Sequence, residues 1–456
     1  MTDPLADFEE LSLEIQDFSS LGIRPGLERL SRLLSSLGSP EKKFPAIHVL
    51  GTNGKGSTAA TLESVCEAAG LKAALYTSPH LVSLRERVRI RKKYAGIKIW
   101  RDAWGRIMRA VGSDSVLDAV RPTFFENLTA LAFLIMSESG LDIAVIEAGM
   151  GGRYDATSSC RAVATVITPI GMDHMEYLGS TLEAIAGEKF AAIRSGAPAF
   201  YAADDEFLTR LFAVQCESVG AASFPMSRIA FPENIHCGLD GTSFDYVSEA
   251  GLARNLNAPP RLKTPLVGIH QAYNASNAIT VLLELQKTVP LFAGIGEEKI
   301  RNGLAAVDWP GRMEAFRAGR GSPVVLLDGA HNEHGFRALV KSLALLEESH
   351  EITGIGAFVF AMMKDKDIDG IIGLLKGFDA PVFCTQLPTA RTRTASGLEA
   401  LFKSAGCAVG GSYDDPASAL AAALAASGPG ELVVCCGSLF LAGAIRNSLS
   451  VSDKIV

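Results

Sequence analysis

The chain has 456 residues, 48% of them hydrophobic and 20% charged, with a formal net charge of −7. That length predicts more than one domain and ample buried surface, and the acidic balance gives no electrostatic case for a nucleic-acid or anionic-membrane partner. No uninterrupted apolar stretch approaches the roughly 20 residues of a membrane span, and the acidic start from Met1 to Glu10 lacks the basic end and apolar core of a secretory signal.

The first predicted element is a helix over Leu27–Leu37, bounded by Pro25, Gly26 and Gly38-Ser39-Pro40. An apolar run, Ile47–Leu50, follows and reads as a buried strand. It leads into Gly51-Thr52-Asn53-Gly54-Lys55-Gly56-Ser57-Thr58 and then a helical stretch, Ala59–Ala69. Strand, glycine-rich turn and helix is the context of a phosphate-binding loop. Glycines let backbone N–H groups close around phosphate oxygens, and the helix turns its positive end to the anion. Lys55 is placed to reach outer phosphates, and Ser57 or Thr58 to meet a magnesium ion. The common loop has the hydroxyl residue directly after the lysine. Here Gly56 intervenes, which points to a distinct branch of phosphate-loop enzymes.

Strand-like runs continue at Ala73–Thr77, Ile143–Ala148, Val163–Thr168 and Ala197–Ala202. Arg85-Glu86-Arg87-Val88-Arg89-Ile90-Arg91 alternates instead, and predicts a half-exposed strand with its basic residues on a solvated face, attraction of an acidic substrate being the second reading. Glu147 ends an apolar run and is followed by Gly149, Gly151 and Gly152. Ligands collect at the carboxyl ends of strands in open α/β sheets. A carboxylate there is suited to magnesium. Asp173-His174 follows the next strand, and Glu188-Lys189 falls on a predicted helix, where the pattern alone gives a solvated surface pair. Composition breaks at Pro290–Gly296 and Trp309-Pro310-Gly311, so one domain is expected over 1–300 and a second over 301–456. The second holds strand-like runs Val324–Asp328, Ala357–Ala361, Val382–Thr385 and Leu432–Cys436, and an alanine-rich helix over Ala417–Ala426. Short continuous apolar runs alternating with helices predict an α/β protein with parallel sheets. The eight cysteines contain no Cys-x-x-Cys pair, which favours buried thiols of a reducing cytoplasm over disulfides or zinc.

Eight motifs then occur in order: Gly51–Thr58, Thr77-Ser78-Pro79-His80-Leu81, Glu147 with Gly149–Ala156, Asp173-His174, Glu188-Lys189, His270-Gln271 with Asn274-Ala275, Pro310-Gly311-Arg312 and Asp328–Asn332. In this the chain resembles the folylpolyglutamate synthase/dihydrofolate synthase family of the Mur ligase superfamily. The resemblance implies a phosphate-loop ATP-binding domain of the Mur ligase central type, followed by a smaller Rossmann-like α/β glutamate ligase domain. It implies an ATP-dependent amide ligase: ATP phosphorylates a substrate carboxylate, the amine of glutamate attacks the acyl phosphate, and phosphate leaves. By the same resemblance Thr52, Asn53, Gly54, Lys55, Gly56, Ser57 and Thr58 cradle ATP. Asn274, Arg312, Asp328 and His331 grip it from the linker and second domain, in a catalytic gap between the domains. Ser78, Glu147 and His174 match magnesium ligands, with two ions expected, and Lys189 matches a lysine that carbon dioxide converts to a carbamate. Lys55, His174 and Lys189 are thus the expected catalytic groups.

On the substrate side, Thr123-Phe124-Phe125-Glu126 resembles the segment lining a pterin pocket, with one phenylalanine stacking on the ring and the other in the core. Tyr154, Asp155 and Ala156 resemble the form that accepts dihydropteroate as well as reduced folates, with Asp155 accepting hydrogen bonds from the pterin. The chain departs from the family at Ser158, Phe190 and Glu333, where Asn, a small alanine and Pro are usual. The implied partners are small molecules, with no nucleic acid or membrane, and the chain is expected to be a monomer. Alternatives are folylpolyglutamate synthase activity alone, a cell-wall Mur ligase acting on a nucleotide-linked precursor, and an ATPase switch. Gly56 and the two-domain length count against the cell-wall ligase.

Overall fold

The computed structural model describes residues 4–18, 22, 24–202, 205–248, 261–317, 319, 321–449 and 454–455. Met1 to Asp3, which begin the acidic N-terminal stretch, lie outside the described residues, as do the outermost bounds of the two expected domains. The chain divides into two compact units. The first comprises 1–231, 246–259 and 274–304. The second comprises 232–245, 260–273 and 305–456, so it takes in two segments that the sequence reading assigns to the first domain.

The first unit is built on an eight-stranded sheet. Its strands are β1 (Ala46–Leu50), β2 (Ala73–Tyr76), β3 (Val88–Ile90), β4 (Lys93–Tyr94), β5 (Ile143–Glu147), β6 (Ala162–Ile167), β7 (Ala199–Tyr201) and β8 (Ser223–Pro225). They lie in the order β4-β3-β2-β5-β1-β6-β7-β8. From β2 to β8 all pairs are parallel, and β3 and β4 add an antiparallel edge. β1 is central, with Val49 in register with Glu147 on one side and Leu50 with Ile167 on the other. The carboxyl ends of β1, β5 and β6 therefore open at one level. The chain order reverses there, which is where such sheets collect ligands. Every residue of β1 and β5 is buried, as their continuous apolar runs predict. Among the described residues, one cluster of this unit gathers around Trp100, Phe44, Phe133 and Tyr76, and another around Phe190, Tyr201 and Phe212.

The alternation at Arg85–Arg91 is corrected by the structure. Leu84–Arg87 is a 3₁₀ turn and only Val88–Ile90 is strand. Arg87 and Arg89 are 6% and 5% exposed, not solvated. Arg89 reaches Glu63, itself wholly buried, at 2.9 Å. A buried carboxylate on the helix behind the strand has drawn the arginine inward, since each charge needs the other once out of water.

Three further strands, β9 (Ala230–Gly238), β10 (Gly241–Ser248) and β11 (Arg261–Thr264), form a separate sheet in the order β11-β10-β9. Their polar, interrupted sequences do not stand out as strands. The second unit holds a six-stranded sheet of β12 (Glu314–Phe316), β13 (Val324–Leu327), β14 (Gly354–Phe360), β15 (Val382–Thr385), β16 (Val409–Tyr413) and β17 (Glu431–Cys436). Its order is β12-β13-β17-β14-β15-β16, parallel except for β12. Phe336, Phe358, Phe360 and Phe402 fill its core. All eight cysteines are free thiols. No described helix is long and apolar enough to cross a membrane.

Candidate active site

The phosphate loop leaves β1 and enters the helix Lys55–Ala68, one turn earlier than the apolar pattern suggests. Gly54 caps that helix with φ +85°, and a Cβ there would lie 2.5 Å from Oδ1 of Asn274. The helix Ile269–Thr288 thus delivers Asn274 against the loop. The Thr52 and Asn53 N–H groups donate to the Pro169 carbonyl at 3.0 and 3.4 Å, and the Thr52 hydroxyl donates to the Gly171 carbonyl at 3.1 Å. These bonds tie the loop to the chain beyond β6. Lys55 Nζ folds back on the Gly51 and Thr52 carbonyls at 3.2 and 2.9 Å. Ser57 and Thr58 are buried, and Thr58 Oγ1 has no hydrogen-bond partner among the described residues. Gly56 lies within the first turn of the helix.

Lys189 is the main electrostatic feature. It sits on the helix Leu182–Phe190, which starts at Thr181, whose hydroxyl accepts the Ala184 N–H. Its Nζ donates to the same Gly51 carbonyl at 2.8 Å, and the residue is only 4% exposed. Burial, and then the Lys55 charge, depress its pKa from 10.5 to about 7, while Asp173 and Asp155 pull the other way. The surface pair that the local pattern gives is therefore half right. Glu188 is the outer member, bonded to Arg153 at 2.9 Å, and Lys189 turns inward. Gly152 makes that fit possible, because a Cβ there would lie 2.9 Å from the Lys189 carbonyl.

Ser78 and Glu147 come together. The Ser78 N–H donates to Glu147 Oε2 at 3.1 Å, and Glu147 is 5% exposed. Ser78 Oγ is buried with no hydrogen-bond partner among the described residues. An orphaned hydroxyl beside a buried carboxylate is an oxygen donor set of the kind a hard divalent cation takes, so these residues fit magnesium. His174 caps the short helix Met175–Leu178 in the left-handed region, with its side chain 40% exposed. Its Nε2 lies 4.0 Å from Asp173 Oδ2. Among the described residues no three His, Cys, Asp or Glu side chains converge.

The pocket-lining segments carry more structural duty than the sequence conveys. Thr123 and Glu126 form a capping box on the helix Phe124–Ser137, and Glu126 also pairs with Arg29 at 3.1 Å. Phe125 stacks on Tyr76, and both Phe124 and Phe125 pack partly on the core. Asp155 is 5% exposed. Its Oδ2 accepts the Met150 N–H at 2.7 Å, and its Oδ1 accepts the Thr157 N–H at 3.0 Å and the Thr157 hydroxyl. Its acceptors are used within its own loop, and burial raises its pKa. Ala156 is buried beside it, whereas Tyr154 is 55% exposed.

In the second unit Asp328 leaves β13 and accepts the Met313 and Ala330 N–H groups at 3.0 and 2.8 Å. Arg312 donates to the Gly311 carbonyl at 3.1 Å and lies against Gly329. The His331 ring bonds the Gly329 carbonyl at 2.8 Å. Arg312, Asp328 and His331 are thus gathered around one strand end.

Two histidines make contacts that the sequence pattern does not convey. Arg87 donates from Nε to His80 Nδ1 at 3.0 Å and lies 5.8 Å from the Phe124 ring centre. Burial, with Arg87 adding to it, holds His80 neutral with a pKa near 3. His48, alone among apolar residues in β1, bonds Thr157. A histidine inside an otherwise apolar strand was the available signal.

A phosphate loop at the switch point of a parallel sheet, with an acidic strand end beside it and a second α/β unit, defines an ATP-using enzyme of the Mur ligase type. The Mur ligase middle domain matches residues 49–282, and the Mur ligase glutamate ligase domain matches 311–439. The dihydrofolate synthase/folylpolyglutamate synthase of Bacillus subtilis is 32% identical over 433 residues, covering 94% of this chain and 96% of that protein. Mycobacterium tuberculosis folylpolyglutamate synthase, solved with ADP and AMPPCP, matches with a TM-score of 0.82 at 29% identity, over 98% of this chain and 99% of that one. Escherichia coli FolC in complex with DHPP and ADP matches with a TM-score of 0.80 at 30% identity, over 98% of both chains. The chain belongs to the folylpolyglutamate synthase/dihydrofolate synthase family of ATP-dependent glutamate ligases.

Proposed function

We propose that this chain uses ATP to join L-glutamate to the carboxylate of a reduced folate, and also to dihydropteroate. The reading is carried by Lys189, a lysine buried beside the phosphate loop and depressed toward neutrality. A surface ion pair does not need that environment. A lysine that reacts with carbon dioxide does, because only the neutral amine attacks it. The carbamate so formed is an anion suited to holding magnesium.

In the proposed reaction the terminal phosphoryl group of ATP passes to the substrate carboxylate, and the glutamate amine displaces phosphate to leave an amide. Catalysis of phosphoryl transfer rests on positioning and charge neutralisation. Thr52 to Thr58 hold the phosphates, with Lys55 leaving its two carbonyl partners to meet them. Asn274, Arg312, Asp328 and His331 are assigned to the nucleotide. Ser78, Glu147 and His174 would hold magnesium, which would supply charge at the phosphates. Phe124 and Tyr154 are assigned to the pterin ring. Asp155 orders the loop that presents Tyr154. We assign the chain to the cytoplasm, in keeping with its free, mostly buried thiols.

The test incubates pure protein with ATP, magnesium, glutamate and either dihydropteroate or tetrahydrofolate, and weighs the products. With a ligase the acceptor gains one glutamate per turnover, and little phosphate is released until both acceptor and glutamate are present. Steady phosphate release without them would replace this reading with that of an ATPase switch. Product from tetrahydrofolate alone would restrict it to folylpolyglutamate synthesis.

A further inference from the structure

His48 belongs to no part of the machinery described so far, yet it is placed at its centre. It lies on β1 two residues before Leu50, where the strand passes into the phosphate loop. It is 1% exposed, and its neighbours Ile47, Val49 and Leu50 are wholly buried apolar residues. Burial, with a contribution from Arg194, lowers its pKa to about 3, so the ring is neutral. A neutral histidine has one donor and one acceptor nitrogen. Its Nε2 lies 2.8 Å from the Thr157 hydroxyl oxygen.

The direction of that bond follows from the next one. The Thr157 hydroxyl donates to Asp155 Oδ1. Having one proton, it must accept from His48, which places the histidine hydrogen on Nε2. The result is a directed chain, His48 to Thr157 to Asp155, in which Thr157 is fully buried. Asp155 closes the chain by accepting the N–H groups of Thr157 and Met150. Such a buried chain of hydrogen bonds favours one backbone arrangement, because another would leave one of its polar groups unpaired.

The segment it fixes is the loop that carries Tyr154. On the other side of Tyr154, the Arg153 N–H donates to the Glu188 carbonyl at 2.9 Å. Tyr154 is therefore held from both flanks while its side chain stays 55% exposed. We propose that His48 is a positioning residue for the pterin-bearing substrate: through Thr157 and Asp155 it sets the loop that presents Tyr154, and so governs affinity for the pterin acid but not for ATP. This rests on the assignment of Tyr154 to the pterin ring made above. An ordinary core histidine would only add to stability, and its loss would weaken both substrates alike or neither.

The test compares His48→Phe, which removes the donor, with His48→Gln, whose amide can donate to Thr157. Steady-state kinetics are measured with ATP, glutamate and dihydropteroate. His48→Phe is expected to raise the KM for dihydropteroate about tenfold, the loss of one buried neutral hydrogen bond, with the KM for ATP unchanged. His48→Gln should recover most of that loss. If His48→Phe does not fold, Thr157→Val breaks the same chain at its middle link and should give the same split. Equal shifts in both KM values, no shift in either, or a glutamine variant as impaired as phenylalanine would overturn the proposal. A wild-type protein that forms no product from dihydropteroate would instead refute the assigned substrate, and the proposal with it.

Discussion

Lys189→Met should make the protein more stable and inactive at once. The folded chain holds Lys189 with a pKa near 7, against 10.5 for a free lysine. That difference corresponds to a ceiling of about 5 kcal/mol. Between the two values the unfolded chain carries a proton that the folded chain does not, so the lysine's contribution to stability rises with pH across that window. Below about pH 7 both states are protonated and the full penalty of burying the cation is present. Methionine has a similar length, no charge and no desolvation cost, and the Gly51 carbonyl keeps its bond from Lys55 at 3.2 Å. The assay is urea unfolding of both proteins from about pH 7 to about pH 9, in buffer purged of carbon dioxide so that no carbamate forms. The variant should exceed wild type most at the acid end. The gap should close by up to about 1.4 kcal/mol per pH unit as the wild-type lysine sheds its proton. Ligase activity of the variant should be lost throughout, whereas the purged wild type should recover activity with bicarbonate. Parallel stability curves, or a variant less stable at the acid end, would refute the claim that Lys189 is held near neutrality by burial.

Lys55→Ala should abolish ligation with the circular dichroism spectrum unchanged, and near wild-type turnover would end the phosphate-loop reading. Ser78→Ala, Glu147→Gln and His174→Ala should each lower turnover and move its magnesium dependence to higher concentration, and an unmoved magnesium curve would leave these residues only a structural role. Arg89→Leu should cost about 3–5 kcal/mol in urea unfolding, because it strands the Glu63 carboxylate in the core. Adding Glu63→Leu should return most of that loss, and an additive double variant would show the pair to be uncoupled.

What the sequence alone determined is what depends on near neighbours. The strand, loop and helix from Ala46 to Ala68 occupy one continuous segment, so apolar runs and glycine spacing disclose them. Most parallel strands of both units were legible for the same reason, since strands covered on both faces are apolar throughout, whereas the outer parallel strands β8 and β16, with their partly exposed residues, were not. Family resemblance added roles that spacing does not carry. The tertiary structure decided which charged residues are inside. Lys189 meets the Gly51 carbonyl across 138 positions, His48 meets Thr157 across 109, and Arg89 meets Glu63 across 26. Local alternation made Arg89 a surface residue, and helix position alone made Lys189 one. The burial of a charge is set by what packs over it and by whether a partner waits there. Those partners come from distant segments, so no window of sequence contains both members of the pair.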